Sequence, residues 1–114
     1  MHRLLEKPEI IGTCWVEFNV SGNRDTYEHW QASSRYASLD AMYGVYDVFS
    51  ICLEKFDLYC PMFIDSKNAT ELSKMLDGFS SANPAHCARR FAEELSAFLC
   101  ESIAKEKPIW MLGA

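Results

Sequence analysis

Glu28, His29 and Trp30 stand in a row, and Glu17 lies within reach across a tight turn of chain. A carboxylate beside an imidazole is the simplest pair that can move a proton near neutral pH. The spacing allows that chemistry without specifying it, because an exposed strand histidine has the same neighbours. His86 and Cys87 in "AHCARR" make a second candidate. A thiol nucleophile needs a base next to it in space, not in sequence. On a helical wheel His86 turns to the polar side and Cys87 to the apolar edge, so the two are expected to diverge. The other cysteines are Cys14, Cys52, Cys60 and Cys100. None is spaced as the short ligand pairs of a zinc site require. No metal and no cofactor are expected, and the thiols read as free. Arg89 and Arg90 offer charge for a phosphate, but Glu93 and Glu94 follow one turn later and answer it. "NAT" at Asn68 matches a glycosylation acceptor and reads better as a helix cap. There is neither a glycine-rich phosphate loop nor a nucleophile elbow.

The stretch "SLDAMYGVYDVFSICLEKFDLYC" carries a different pattern. Asp40, Asp47 and Glu54 recur every seven residues. On a helix they drift by only about 20° per heptad and line one flank. Tyr43, Ile51 and Leu58 lie within or beside that row. Acids around tyrosine and aliphatic anchors make a protein-binding patch, the anchors supplying affinity and the charge supplying steering. The competing reading buries Ile51 and Leu58 under neighbouring chain. Their exposure decides between the two.

These residues need elements to position them. Residues 10–20 alternate after Thr13, with Cys14, Val16, Phe18 and Val20 on one side and Trp15, Glu17 and Asn19 on the other: a half-buried strand. "SGNRD" is a turn. Residues 26–33 then pair back as a second strand, although Tyr27, Trp30 and Ser34 also admit a helical reading. Ser38 caps a helix over 39–59, which Pro61 stops. Met62–Ile64 is a short apolar run. Asn68 and Glu71 match a capping box for the next helix, with Gly78 near its end. Asn83 and Pro84 then cap and open a last helix, which runs to about Lys105. Pro108 ends it and leaves "IWMLG" to add an edge strand or dock on the core. The expected fold is α+β: an antiparallel hairpin, with room to grow to three or four strands, packed on three helices.

The chain has 114 residues, read as a single domain over 1–114, with 49% hydrophobic and 24% charged residues. That is enough to bury about two thirds of the unfolded surface without metals or bridges. The net charge of −5 argues against a nucleic-acid partner, whose phosphates demand excess Lys and Arg. No run approaches the ~20 apolar residues of a membrane span. "MHRLLEKPEIIG" lacks the features of a secretory signal. A cytoplasmic location is expected.

Two functions follow. The first is a small acidic interaction protein of the inhibitor, adaptor or immunity type. It binds a basic protein, or a second copy of itself, through Asp40, Tyr43, Asp47, Ile51, Glu54 and Leu58. The second is a ligand-binding or enzymatic domain with a pocket between hairpin and long helix, lined by Trp15, Tyr27, His29, Trp30 and Tyr46.

Overall fold

Four antiparallel strands form one sheet in the order β2-β1-β4-β3. They are β1 (Val16–Asn19), β2 (Arg35–Ala37), β3 (Met62–Ile64) and β4 (Ile109–Leu112). The computed structural model describes residues 2–10 and 14–113. The expected strand over 10–20 therefore falls partly outside the described residues. What is described is shorter and buried on both sides. Val16 and Phe18 join Ala37, Ile64, Ile109 and Met111 in the core, as the alternation required. Glu17 and Asn19, expected to face water, are buried too.

The second strand is not where the sequence placed it. Residues 26–33 form neither strand nor helix, and the partner of β1 is Arg35–Ala37, paired Val16 to Ala37 and Phe18 to Arg35. The reason lies in the backbone donors. Trp30 and Gln31 give their N–H groups to the Glu17 carboxylate at 2.9 and 3.3 Å, so they are not available to a ladder. Trp30 also sits at φ 59, which no strand accommodates. Residues 20–34 instead arch over the outer face of the sheet. Nor is β4 an edge strand. It lies between β1 and β3, with Ile109 and Met111 inward and Leu112 buried opposite Glu17.

Helices cover the inner face. α3 (Ser66–Ala82) and α4 (Arg89–Ala104) pack side by side. Leu72 and Leu76 from one and Phe91, Leu95 and Leu99 from the other recur at helical spacing and are fully buried. Small residues let the two helices approach, and the Ser96 hydroxyl donates to the Ser73 carbonyl at 3.1 Å. α3 starts earlier than its expected Asn68 cap, because Asp65 accepts the Asn68 N–H at 2.8 Å. It also runs past Gly78. Asn83 closes α3 rather than opening α4, its N–H bonded to the Phe79 carbonyl, and residues 84–88 are turns.

The single helix expected over 39–59 is two short ones, α1 (Leu39–Gly44) and α2 (Tyr46–Cys52). Ser38 caps the first as expected, accepting the Ala41 N–H at 3.1 Å. The break falls at Val45, at φ −123 and ψ 20. Gly44 marks the cause. A Cβ there would lie 2.7 Å from the Cβ of Ala88, so α1 presses on the turn before α4 more closely than any side chain allows. Glycine and a β-branched valine together weaken the helix at the point where that contact bends it. The chain leaves helix after Cys52, with Lys55 at φ 58.

The N-terminal segment is tied across the molecule. Arg3 forks onto Glu94 at 2.9–3.2 Å, and Leu5 exchanges backbone hydrogen bonds with Tyr36 beside β2. Burial alone would raise the Glu94 carboxyl, but Arg3 and the Leu4 N–H outweigh it and hold the pKa below its ordinary value. Among the described residues, no helix is long and apolar enough to cross a membrane.

The two helical glycines make opposite predictions. Gly44→Ala meets the buried Ala88 and is expected to destabilise by about 1–3 kcal/mol despite the gain in helix propensity. Gly78 has open space around it, so Gly78→Ala should stabilise by about 0.5–1 kcal/mol. Urea unfolding of both variants reads the two signs.

Candidate functional site

Two aromatic clusters occupy different parts of the molecule. The first lies on the outer face of the sheet. Tyr27 from the arch packs on Trp110 with ring centroids 4.9 Å apart and meets His29 edge-on at 5.4 Å. Trp30 stacks on Tyr36 at 5.7 Å, with the rings 11° from parallel. The Trp110 indole donates to the Asn23 carbonyl at 2.7 Å and so fastens the arch at its far end.

Glu17 sits beneath this ladder with its side chain 2% exposed. Besides the Trp30 and Gln31 amides, it accepts the Ser34 hydroxyl at 2.6 Å and the Asn19 side-chain amide at 3.0 Å. His29 lies half exposed, its Nδ1 3.5 Å from the same carboxylate. The carboxylate–imidazole pair anticipated from the sequence therefore exists. Its carboxylate is consumed by structural donors, however, and the rings around it fill the space with one another. Burial and the Glu17 charge push the Tyr36 phenol up to about 12. It stays protonated and donates to the Gln31 carbonyl at 2.9 Å. The ligand pocket expected from Trp15, Tyr27, His29, Trp30 and Tyr46 is split. Tyr27, His29 and Trp30 come together, Trp15 lies half-buried just before β1, and Tyr46 belongs to the second cluster.

That cluster forms where the expected long helix breaks. Among the described residues, the large apolar side chains left exposed are Tyr43 at 54%, Tyr46 at 39%, Ile51 at 74% and Tyr59 at 58%. All four come from α1, α2 and the chain that follows them. Tyr43 and Tyr46 stack with centroids 6.3 Å apart, and Phe56 stands edge-on to Tyr46 at 5.3 Å. The Tyr43 and Tyr59 hydroxyls are hydrogen-bonded at 3.1 Å. That bond pushes the Tyr59 phenol up. With Asp57 and Leu58 these rings bound a shallow recess of about 280 Å³. Its far wall is fixed from behind: a Cβ on Gly113 would fall 2.4–2.6 Å from the Leu58–Tyr59 backbone, so the end of β4 presses directly on the Tyr59 segment. Two of the wider clefts have walls that carry paired charges. In the one of about 380 Å³, Lys105 is bonded to Glu101 at 2.7 Å and Arg35 to Glu6 at 3.4 Å.

The acidic stripe is exposed in all three of its members, Asp40, Asp47 and Glu54. Asp47 and Ile51 stand one turn apart on α2, whereas Glu54 lies beyond its end. Leu58 is 4% exposed and packs in the core, so it is not a surface anchor as the heptad reading had it. The physical reason is the end of α2 at Cys52, which takes Leu58 off the helical phase. Tyr59, Phe56 and Asp57 were missed for the same reason. The signal that could have found them is tyrosine content: three of the five tyrosines lie between residues 43 and 59.

Cys87 departs from its expected separation. Its sulfur lies 3.9 Å from His86 Nδ1 and 3.9 Å from His2 Nε2. The helical wheel did not apply, because residues 84–88 are turns. His86 Nδ1 already accepts the Ala88 N–H at 3.0 Å, so its first duty is to cap the turn before α4. Among the described residues, no three His, Cys, Asp or Glu side chains gather as a metal ion would need.

Comparison with known proteins adds no relative to this geometry: no protein-family model, no curated protein and no solved structure matches the chain.

Glu17→Ala strands several donors in a dry site and is expected to cost about 3–5 kcal/mol. Hydrogen exchange should then show the Trp30 and Gln31 amides losing protection while Leu95, inside α4, keeps its own. The thiols supply a second check. Burial, and then the Glu71 charge, push the Cys52 thiol up, and the hydrogen bond to Asp57 does the same for Cys60. Cys100 is exposed on the outer side of α4. Brief alkylation at neutral pH with mass mapping should label Cys100 before Cys60 and well before Cys52. Labelling of Cys52 ahead of Cys100 contradicts the burial described here.

Proposed function

We propose that this chain is a non-enzymatic interaction protein that docks a partner protein through the face made by α1, α2 and residues 53–60. The observation that carries the reading is the placement of the large apolar side chains exposed among the described residues. Tyr43, Tyr46, Ile51 and Tyr59 all fall in this one stretch. Tyrosine suits such a surface. It brings large contact area with few rotatable bonds and keeps a polar tip for water or a partner.

Charge supports a basic partner. Residues 39–61 carry Asp40, Asp47, Glu54 and Asp57 against Lys55 alone. A second copy would bring the same acids to the same face, and like charge across an interface costs free energy. A basic partner is therefore favoured over a homodimer. The net charge of −5 extends the steering field beyond the face itself. The reading also places the chain in a reducing compartment such as the cytoplasm, where its free thiols stay reduced.

The test begins with capture from host lysate on immobilised wild-type protein and on two variants, Asp47→Lys/Glu54→Lys and Ile51→Ala. Kinetics follow with the purified protein that wild type retains, measured on all three. The exposed sites should hold each substitution to about ±0.5 kcal/mol in stability. The double reversal is expected to slow association and to invert its salt dependence. Ile51→Ala should speed dissociation, because an anchor loses packed area. Equal capture by all three proteins, with unchanged kinetics, would remove the docking face from consideration. Size-exclusion chromatography decides the homodimer: a dimer that dissociates on Ile51→Ala would replace the basic partner with a second copy.

A further inference from the structure

Resting on that docking face, we propose that the recess bounded by Tyr43, Tyr46, Phe56, Asp57 and Tyr59 is a cation-binding subsite that receives the ammonium or guanidinium head of one basic side chain of the partner. The walls are rings set at different angles. Tyr43 and Tyr46 lie 26° from parallel, and Phe56 stands 65° to Tyr46. The faces of such rings carry negative quadrupole potential and attract a cation.

An aromatic recess alone would also suit an uncharged apolar guest. Asp57 in its wall makes the difference. Its carboxylate accepts the Tyr59 N–H at 2.9 Å and the Cys60 thiol at 3.3 Å. Those two bonds, the backbone one first, hold its pKa below the ordinary value, so the wall is charged at neutral pH. Two carboxylate oxygens have about four acceptor directions between them, which leaves capacity for a cationic donor. Lys55 is the one cation of this stretch, and it does not line the recess.

Size points to a side chain rather than a free ligand. At about 280 Å³ the recess falls below the range of roughly 300–1,000 Å³ typical of small-molecule sites. Its shape is held rather than induced. The Tyr43–Tyr59 hydroxyl bond closes one side, and Gly113 backs the Tyr59 segment at van der Waals limit. A preformed recess loses little entropy when it is filled.

The experiment uses the full chain labelled on its tyrosine rings and three blocked tripeptides, Gly-Xaa-Gly, with Xaa as lysine, arginine or acetyl-lysine. NMR follows the rings. A cationic peptide should shift Tyr43, Tyr46 and Tyr59 saturably and leave Tyr27 and Tyr36 in place. The neutral acetyl-lysine peptide should shift none of them. Tyr46→Leu keeps the apolar wall and removes a ring face, so affinity for the cationic peptide should fall roughly three- to tenfold. Asp57→Asn can still accept the Tyr59 N–H and should weaken binding by a similar factor. Binding of acetyl-lysine as strong as that of lysine overturns the proposal. So does the absence of ring shifts with all three peptides, or full retention of affinity in both variants. Loss of the recess would leave the docking face to its own test, since Ile51, Asp47 and Glu54 lie outside it.

Discussion

Glu17 projects from a central strand into a space that water does not reach, and the chain between β1 and β2 is arranged around it. A carboxylate in such a place costs several kcal/mol unless hydrogen bonds replace its water. Here the replacements come from Asn19, Trp30, Gln31 and Ser34, with His29 alongside. Each donor stands at a different point of residues 19–34. The segment can satisfy all of them only by bending back across the sheet. That bend puts Trp30 over Tyr36 and Tyr27 over Trp110, and it buries Leu112. The sheet therefore becomes a middle layer, with helices inside and an irregular arch outside. Without the carboxylate the same residues would leave a sheet with one wet face.

With both sheet faces covered, the surface with unspent apolar area among the described residues is the broken helix. α3 and α4 bury their stripes against each other and the sheet. α1 and α2 are too short to do so on all sides. The close approach of Gly44 to Ala88 sets the angle at which they part, and the chain beyond Cys52 folds back so that Tyr59 meets Tyr43. The exposed tyrosine face is thus shaped by a packing contact made at the next residue of α1, Gly44.

The sequence could be read where local signals and global packing agreed. Val16 and Phe18 alternate and point inward, Met62–Ile64 and Ile109–Leu112 are strands, and Ser38 caps a helix. The expected α+β class follows from those elements. Reading failed where a distant group overruled a local preference. Residues 26–33 look like a strand because Tyr, His and Trp suit one, yet their N–H groups answer to a carboxylate thirteen and fourteen positions earlier. The heptad of acids looked like one helix flank, and nothing near it in sequence announces that Ala88 will press on Gly44. Of the proposed anchors, Tyr43 and Ile51 are exposed and Leu58 is not. Tyr59 escaped notice because an unbroken helix would have placed it elsewhere.

The position of β4 has a consequence for how the chain is made. It is the last of the four strands in sequence, yet it lies between β1 and β3. During synthesis β1 and β2 can pair early, but β1 keeps one open edge and β3 has no partner until residues 109–112 leave the ribosome. The inner face of that half-sheet must wait as well, since Ile109 and Met111 complete its core. Until then the nascent chain presents apolar helix stripes and unpaired strand edges, the surfaces that holdase chaperones bind. Translation stalled before Ile109 would leave β1 and β3 as two halves without a seam.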